Sequence, residues 1–229
     1  MYRLFWICCS GFLGLLLFFA SCQSKTTQHN TSAAAPPEME RLLQAADTLS
    51  AEALEAEARK LPGTWVDTFF HNRRLALALR QDGRALYEAM MMYGKMRPGD
   101  EDAGAFIHLG LGIAHQFASR FDSADFHYKL AQGWYEKNGD KLKLRDALDC
   151  RASVCRIRGR FDETVAIQYQ ALELAEREID RMYMKVKIAQ TLIAKGDTAK
   201  PLELLQQPAL FYEQALDTHM YAYTLAVQG

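Results

Sequence analysis

From Pro37 to the end of the chain, apolar residues return every three or four positions, and no stretch alternates apolar with polar as a half-buried strand would. The spacing predicts helices throughout and an all-α body. Met39, Leu42, Leu43 and Ala46 mark one short amphipathic helix. Ser50 is placed to cap a second, which runs to about Lys60 before Leu61-Pro62-Gly63 stops it. A third spans roughly Trp65 to Leu79. A fourth runs from Arg84 to Met96 and closes at the proline- and glycine-bearing break over residues 97–104.

Beyond that break the pattern repeats itself. Arg120-Phe121-Asp122 is followed by a helical run holding Ala124, Tyr128 and Ala131, and Arg160-Phe161-Asp162 opens a second such run in a register of about forty residues. Each is preceded by a helix of its own. On the first of these stand His108, Leu111-Gly112 and His115, and on the second Leu148, Ala152 and Cys155. A third copy starting near Met182 carries Ile188-Ala189, Leu192, a Gly196-Asp197-Thr198 turn and a second helix from Pro201, whose ring suits a helix start.

Leu-Gly on one helix and Ala, an aromatic and Ala on the next form the tetratricopeptide pattern, and the chain resembles tetratricopeptide-repeat proteins over about residues 64–229. The match is strongest over 105–178. Arg151, Thr164 and Gln168 depart from the pattern. The resemblance implies an α-solenoid of antiparallel helix pairs. Physically, a helix pair cannot bury its apolar faces alone, so neighbours must stack, and Gly112, Ala124, Ala131, Ala152 and Ala171 are small enough for close approach. The final segment carries a capping Asp217 and an apolar face of Met220, Tyr221, Tyr223 and Leu225, either a truncated array, an end covered by a partner or a self-sufficient cap.

Residues 1–22 have a different character. Arg3 gives a positive start, and the apolar run from Leu4 to Ala20 falls short of the roughly 20 residues a spanning helix needs. The segment reads as a signal peptide. Phe19-Ala20-Ser21-Cys22 resembles the lipobox of bacterial lipoproteins, with Phe19 where that family prefers leucine. The resemblance implies lipidation of Cys22 and a place in the cell envelope facing the periplasm. Plain secretion and an uncleaved anchor are the other readings of the segment. Residues 23–37 are polar, lack apolar periodicity and end in two prolines, which suits a flexible tether. The organisation expected is signal (1–22), linker (23–37), N-terminal helices with a degenerate repeat (38–104) and repeats with an incomplete last copy (105–229).

Composition adds exclusions. With 49% apolar and 24% charged residues and a net charge of −1, the chain is of folded, globular type. Its basic residues are interspersed with acidic ones, so no phosphate-neutralising stripe exists and nucleic acid is not an expected partner. Cys150 and Cys155, on one helix, would lie about 140° apart around the axis and about 7.5 Å along it, a poor geometry for a bridge, so both are expected as buried thiols.

Gly110 to His115 holds two glycines of a dinucleotide fingerprint without the third or a preceding strand. His108 and His115 fit packing positions better than a metal site. Met90-Met91-Met92 points three ways on a helix, with core filling and partial exposure expected. No nucleophile or carboxylate constellation stands out, so no enzyme activity, metal or cofactor is expected.

In the resembled family the first helix of each pair lines the concave face. Carried over, this implies Phe106, Leu109, Ile113 and Phe117 from one repeat, and Asp146, Asp149, Ser153 and Ile157 with Arg156 from the next, as candidate ligand-groove residues. The aromatic ones either line the groove or pack against neighbouring helices. The expected function is a lipid-anchored scaffold that binds a protein or peptide, acting in assembly or as an adaptor. The alternative is the sensor portion of a bacterial signalling regulator without its output domain.

Overall fold

A computed structural model describes residues 36–215 and 217–228. The signal segment, Cys22 and nearly all of the linker lie outside the described residues. Among the described residues every regular element is an α-helix: α1 (Pro37–Ala45), α2 (Ala51–Ala58), α3 (Gly63–Leu79), α4 (Gly83–Met96), α5 (Glu101–Phe117), α6 (Phe121–Asn138), α7 (Lys141–Ile157), α8 (Phe161–Glu173), α9 (Glu178–Lys195), α10 (Ala199–Gln214) and α11 (Thr218–Gln228). The chain is all-α, and its helices pack in sequence as adjacent antiparallel pairs, as in an α-solenoid.

Capping fixes where the helices begin. The side chains of Ser50, Asp82, Asp100, Asp140 and Asp217 each accept a hydrogen bond from the backbone N–H three residues on, at 2.9 to 3.2 Å. Helix α10 starts two residues before Pro201. The missing proline N–H falls in the first turn, where no intrahelical acceptor exists, so the ring is tolerated there.

The repeat shows most directly in the turns between paired helices. Gln81, Ser119, Gly159 and Gly196 all adopt the left-handed conformation, at φ of 57°, 56°, 73° and 98°. After three of them the following N–H reaches back five residues to close the helix: Asp82 to Leu77, Arg160 to Cys155 and Asp197 to Leu192, at 2.9 to 3.0 Å. Gln81 places the same turn on the α3–α4 pair, where the sequence is least repeat-like.

Two compact units are present. The first takes the described residues up to Ala103 together with Ile113–Ser119, and the second takes Gly104–Gly112 and the chain from Arg120 onward. In the first unit Phe69, Phe70, Leu77, Leu86 and Met90 are fully buried, and the Phe70 ring lies 4.8 Å from that of Tyr93. Asp47, just after α1, accepts hydrogen bonds from both Arg73 and Arg80, whose guanidinium groups hold its carboxyl far below the usual range. Met90 and Met92 are buried, at 0% and 6% exposure, and Met91 between them is 44% exposed, so two fill the core and one faces outward.

In the second unit the small residues of the repeat are the tightest points. Ala124, Ala131, Ala152 and Ala171 are fully buried. Gly112 lies beneath the Tyr128 ring so closely that a Cβ there would come within 2.4 to 2.5 Å of two ring carbons. The matching positions of the next two copies hold Ala152 with Gln168 and Ala189 with Leu205. Where the first helix gains a methyl group, the second loses its ring. Ala189 and Leu205 share one buried cluster with Met182, Val186 and Tyr212.

The Arg-Phe-Asp motif also acquires a polar role. Asp122 accepts an ion pair from Arg158 and Asp162 one from Lys195, each partner sitting at or just past the end of the next pair's first helix. Both carboxylates are exposed, so each tie is a surface contribution of at most about 1 kcal/mol.

Replacing Gly112 with Ala forces the Tyr128 ring to move and is expected to cost about 1 to 3 kcal/mol in chemical denaturation. Adding Tyr128→Leu, which imports the Ala/Leu pairing of the third copy, recovers part of that loss. Additive costs in the double variant contradict the interlock. Replacing Ser119 with Gly relieves a left-handed non-glycine residue and is expected to raise stability by about 1 kcal/mol, read as a higher melting temperature.

Candidate functional site

The first helices of two successive pairs in the second unit, α7 and α9, are joined by charge, and α11 packs against the apolar cluster that α9 shares. Arg145 on α7 is 2% exposed and pairs with Asp180 of α9 at 2.6 Å and with Asp146 at 2.9 Å. Arg177 closes on Asp180 from the other side at 2.6 Å. Further along, Lys187 of α9 lies 2.8 and 3.1 Å from the two carboxylate oxygens of Asp149 on α7. Both pairs advance in the same direction, so α7 and α9 run parallel.

Burial governs the energetics here. Desolvation alone would depress the Arg145 guanidinium, but the charges and hydrogen bonds of Asp146 and Asp180 outweigh it and hold it above its ordinary value. Lys187 also sits over the Tyr183 ring, 5.5 Å from its centroid. Burial, then the nearby Asp149 charge, pushes the Tyr183 phenol well up. Groups taken this far from water are tolerable only because each finds an opposite charge.

The neighbouring layer has a tie of its own. Arg151, at a position where the repeat pattern has leucine, reaches Asp125 of α6 at 3.1 Å, Gln132 at 3.3 Å and Glu163 of α8 at 3.2 Å. Burial would raise the Asp125 carboxyl, but hydrogen bonds from Lys129 and Arg151 hold it below the ordinary range. The departure at Arg151 thus exchanges an apolar contact for a polar clamp across three helices.

The candidate groove residues fall into four groups. Leu109 and Ile113 are buried, at 5% and 1% exposure, and belong to the core instead of a ligand surface, because the apolar arc of α5 is wider than a single stripe. Phe106 and Phe117 on the same helix are half-buried and already engaged in contacts. Asp149 is held by Lys187, and the buried Ser153 hydroxyl donates to the Asp149 carbonyl of its own helix at 3.0 Å. Arg156 stays partly exposed, with Ile157 exposed beside it.

Asp180, Lys187, Gln190 and Tyr223 complete this layer and were not among the candidates. Gln190 could have been found by continuing the same offsets into the third copy, which lead to Tyr183, Val186 and Gln190. Lys187 carried no such signal. The apolar face of α11 packs inward: Met220, Tyr221, Tyr223 and Val227 lie against the Met182, Val186 and Tyr212 cluster, while Leu225 stays exposed.

The remaining chemistry-bearing residues are structural in their surroundings. Cys150 and Cys155 are buried free thiols, and burial pushes the Cys155 thiol up. His108 and His127 face each other with Nδ1 atoms 3.0 Å apart, and burial lowers the pKa of His108. His115 packs against the edge of Tyr87. Gly110 and Gly112 lie inside α5, and among the described residues no strand precedes it. Among the described residues no group of three or more His, Cys, Asp or Glu is placed to hold a metal, and no helix is long and apolar enough to cross a membrane.

The chain matches no protein-family model and no curated protein.

Removing one partner of the buried Asp149–Lys187 pair, as in Lys187→Met, is expected to cost roughly 3 to 5 kcal/mol. Asp149→Leu combined with Lys187→Met leaves neither charge uncompensated and is expected to regain most of it. A double-mutant cycle in denaturant reads the coupling, and a coupling near zero contradicts the assignment.

Proposed function

We propose that this protein is a repeat scaffold of the tetratricopeptide type that binds a protein or peptide while held at a membrane by a lipid on Cys22. The observation that carries the binding part is the layer formed by α7, α9 and α11 from three successive repeat copies, in which buried charge pairs join α7 to α9 and an apolar cluster joins α9 to α11. A layer of this kind is rigid, and it presents one polar face continued from copy to copy. Extended or helical peptides complement such a surface, because each copy meets a successive segment of the ligand.

The anchoring part rests on residues 1–22 and the tether that follows. About 14 polar and small residues between Cys22 and α1 would let the body move on the order of 20 Å from its anchor. That reach suits a scaffold that must find partners close to a membrane. In this reading the protein sits in the cell envelope, facing the periplasm. No chemistry is assigned to it, and its action is to hold partners together in assembly or as an adaptor.

Crosslinking capture from membranes with the full chain tests the binding, and a partner recovered stoichiometrically supports it. For the anchor, replacing Cys22 with Ser is expected to shift the protein from the membrane to the soluble fraction or to leave an unprocessed precursor. The lipid mass on the mature N-terminus should vanish with it. Membrane retention of the variant at its processed size contradicts the lipid anchor.

A further inference from the structure

Two histidines of the second unit face each other across a helix pair. His108 on α5 and His127 on α6 bring their Nδ1 atoms to 3.0 Å. The ring centroids are 5.2 Å apart with planes 26° from parallel, so both Nδ1 atoms lie between the rings, close to the line that joins them. The two helices are fixed in height at this point. Gly112, one turn along α5 from His108, lies under the ring of Tyr128, the residue after His127. Both histidines are half-buried, so each is held by its helix and still reached by solvent.

That separation is the one two imidazoles take on a single ion. With metal–nitrogen bonds of about 2.0 to 2.1 Å, ligands on adjacent corners stand about 2.9 Å apart in a square arrangement and about 3.4 Å apart in a tetrahedral one. Each ring has only to turn about its Cβ–Cγ bond for the two lone pairs to meet on an ion beside the line between them, and that torsion is broad in histidine. In the hydrogen-bonded pair one Nδ1 carries a proton and donates it to the other. On binding, that imidazole carries its proton at Nε2 instead, both Nδ1 atoms become ligands, and no proton is gained or lost. Burial lowers the pKa of His108, which favours the neutral form a metal requires.

We propose that His108 and His127 form a metal site that clasps α5 to α6 by binding a divalent transition ion of the zinc and copper class through their Nδ1 atoms. Imidazole suits these ions, whereas calcium and magnesium take oxygen ligands, so the hard cations are excluded. Among the described residues no third His, Cys, Asp or Glu completes the set, and water fills the remaining positions. The sequence reading weighed His108 against His115, which lies on the same helix and packs on Tyr87. The ligating partner is on the facing helix instead. The site stands apart from the scaffold reading and acts on stability, because an ion held by both helices favours their packed state.

The full chain, purified in detergent without a polyhistidine tag, is titrated calorimetrically with Zn²⁺ and, as a control, Mg²⁺. Zinc is expected to bind and to raise the melting temperature, and magnesium to do neither. His108→Gln and His127→Gln each weaken zinc binding by at least the roughly 10- to 100-fold that loss of a mere outer-shell partner costs, and abolish the thermal shift. Electron paramagnetic resonance of the wild-type chain with Cu²⁺ reads the ligands without any variant, and coupling to two nitrogens is expected. Zinc binding that either variant leaves unchanged places the ion elsewhere and overturns the site. So does a wild-type chain that binds no zinc, or a copper spectrum with sulfur or a single nitrogen as ligand.

Discussion

Everything in this structure depends on how closely the two helices of a pair can approach while their shared face is buried against the next pair. A single pair has too little apolar area to stay folded alone, so the sequence must arrange both contacts at once. Gly112 under the Tyr128 ring is the extreme case, with no room even for a methyl group. The next two copies solve the same problem with Ala152 and Ala189 opposite Gln168 and Leu205. What is held constant along the array is the filling of one space, and the identities of the two residues that fill it vary.

Polar ties then set the register that apolar packing leaves free. Arg145 with Asp180, Lys187 with Asp149 and Arg151 with Asp125 and Glu163 join α6 through α9 at fixed heights. Buried pairs of this kind add little net stability over apolar substitutes, but a slip of one helical turn would leave each charge stranded. They therefore act as positional locks on the layer from which Arg156 projects.

The helices were legible in the sequence because their signals are local. Apolar spacing located every described helix, Ser50 and Asp217 announced their caps, and the recurrence of Arg-Phe-Asp marked the turns. Near α3 and α4 the sequence looked degenerate, yet Gln81 makes the turn that glycine makes later, since the backbone conformation matters there more than the residue. The candidate site was legible only in part. Helical offsets put Arg156 on the right face, but they could not show that Leu109 and Ile113 lie within the buried arc or that Lys187 covers Asp149. Those facts depend on which helix lies opposite, and that information is distributed over residues far apart in the chain. Gln190, by contrast, was within reach of the helical offsets continued into the third copy.

The proposed function makes the first-helix layer the surface that meets a partner. Hydrogen–deuterium exchange of the full chain, with and without a captured partner, addresses it helix by helix. Slowed exchange on binding is expected in the first helices α7, α9 and α11. Protection confined to the second helices α6, α8 and α10, with the first helices unchanged, would contradict it.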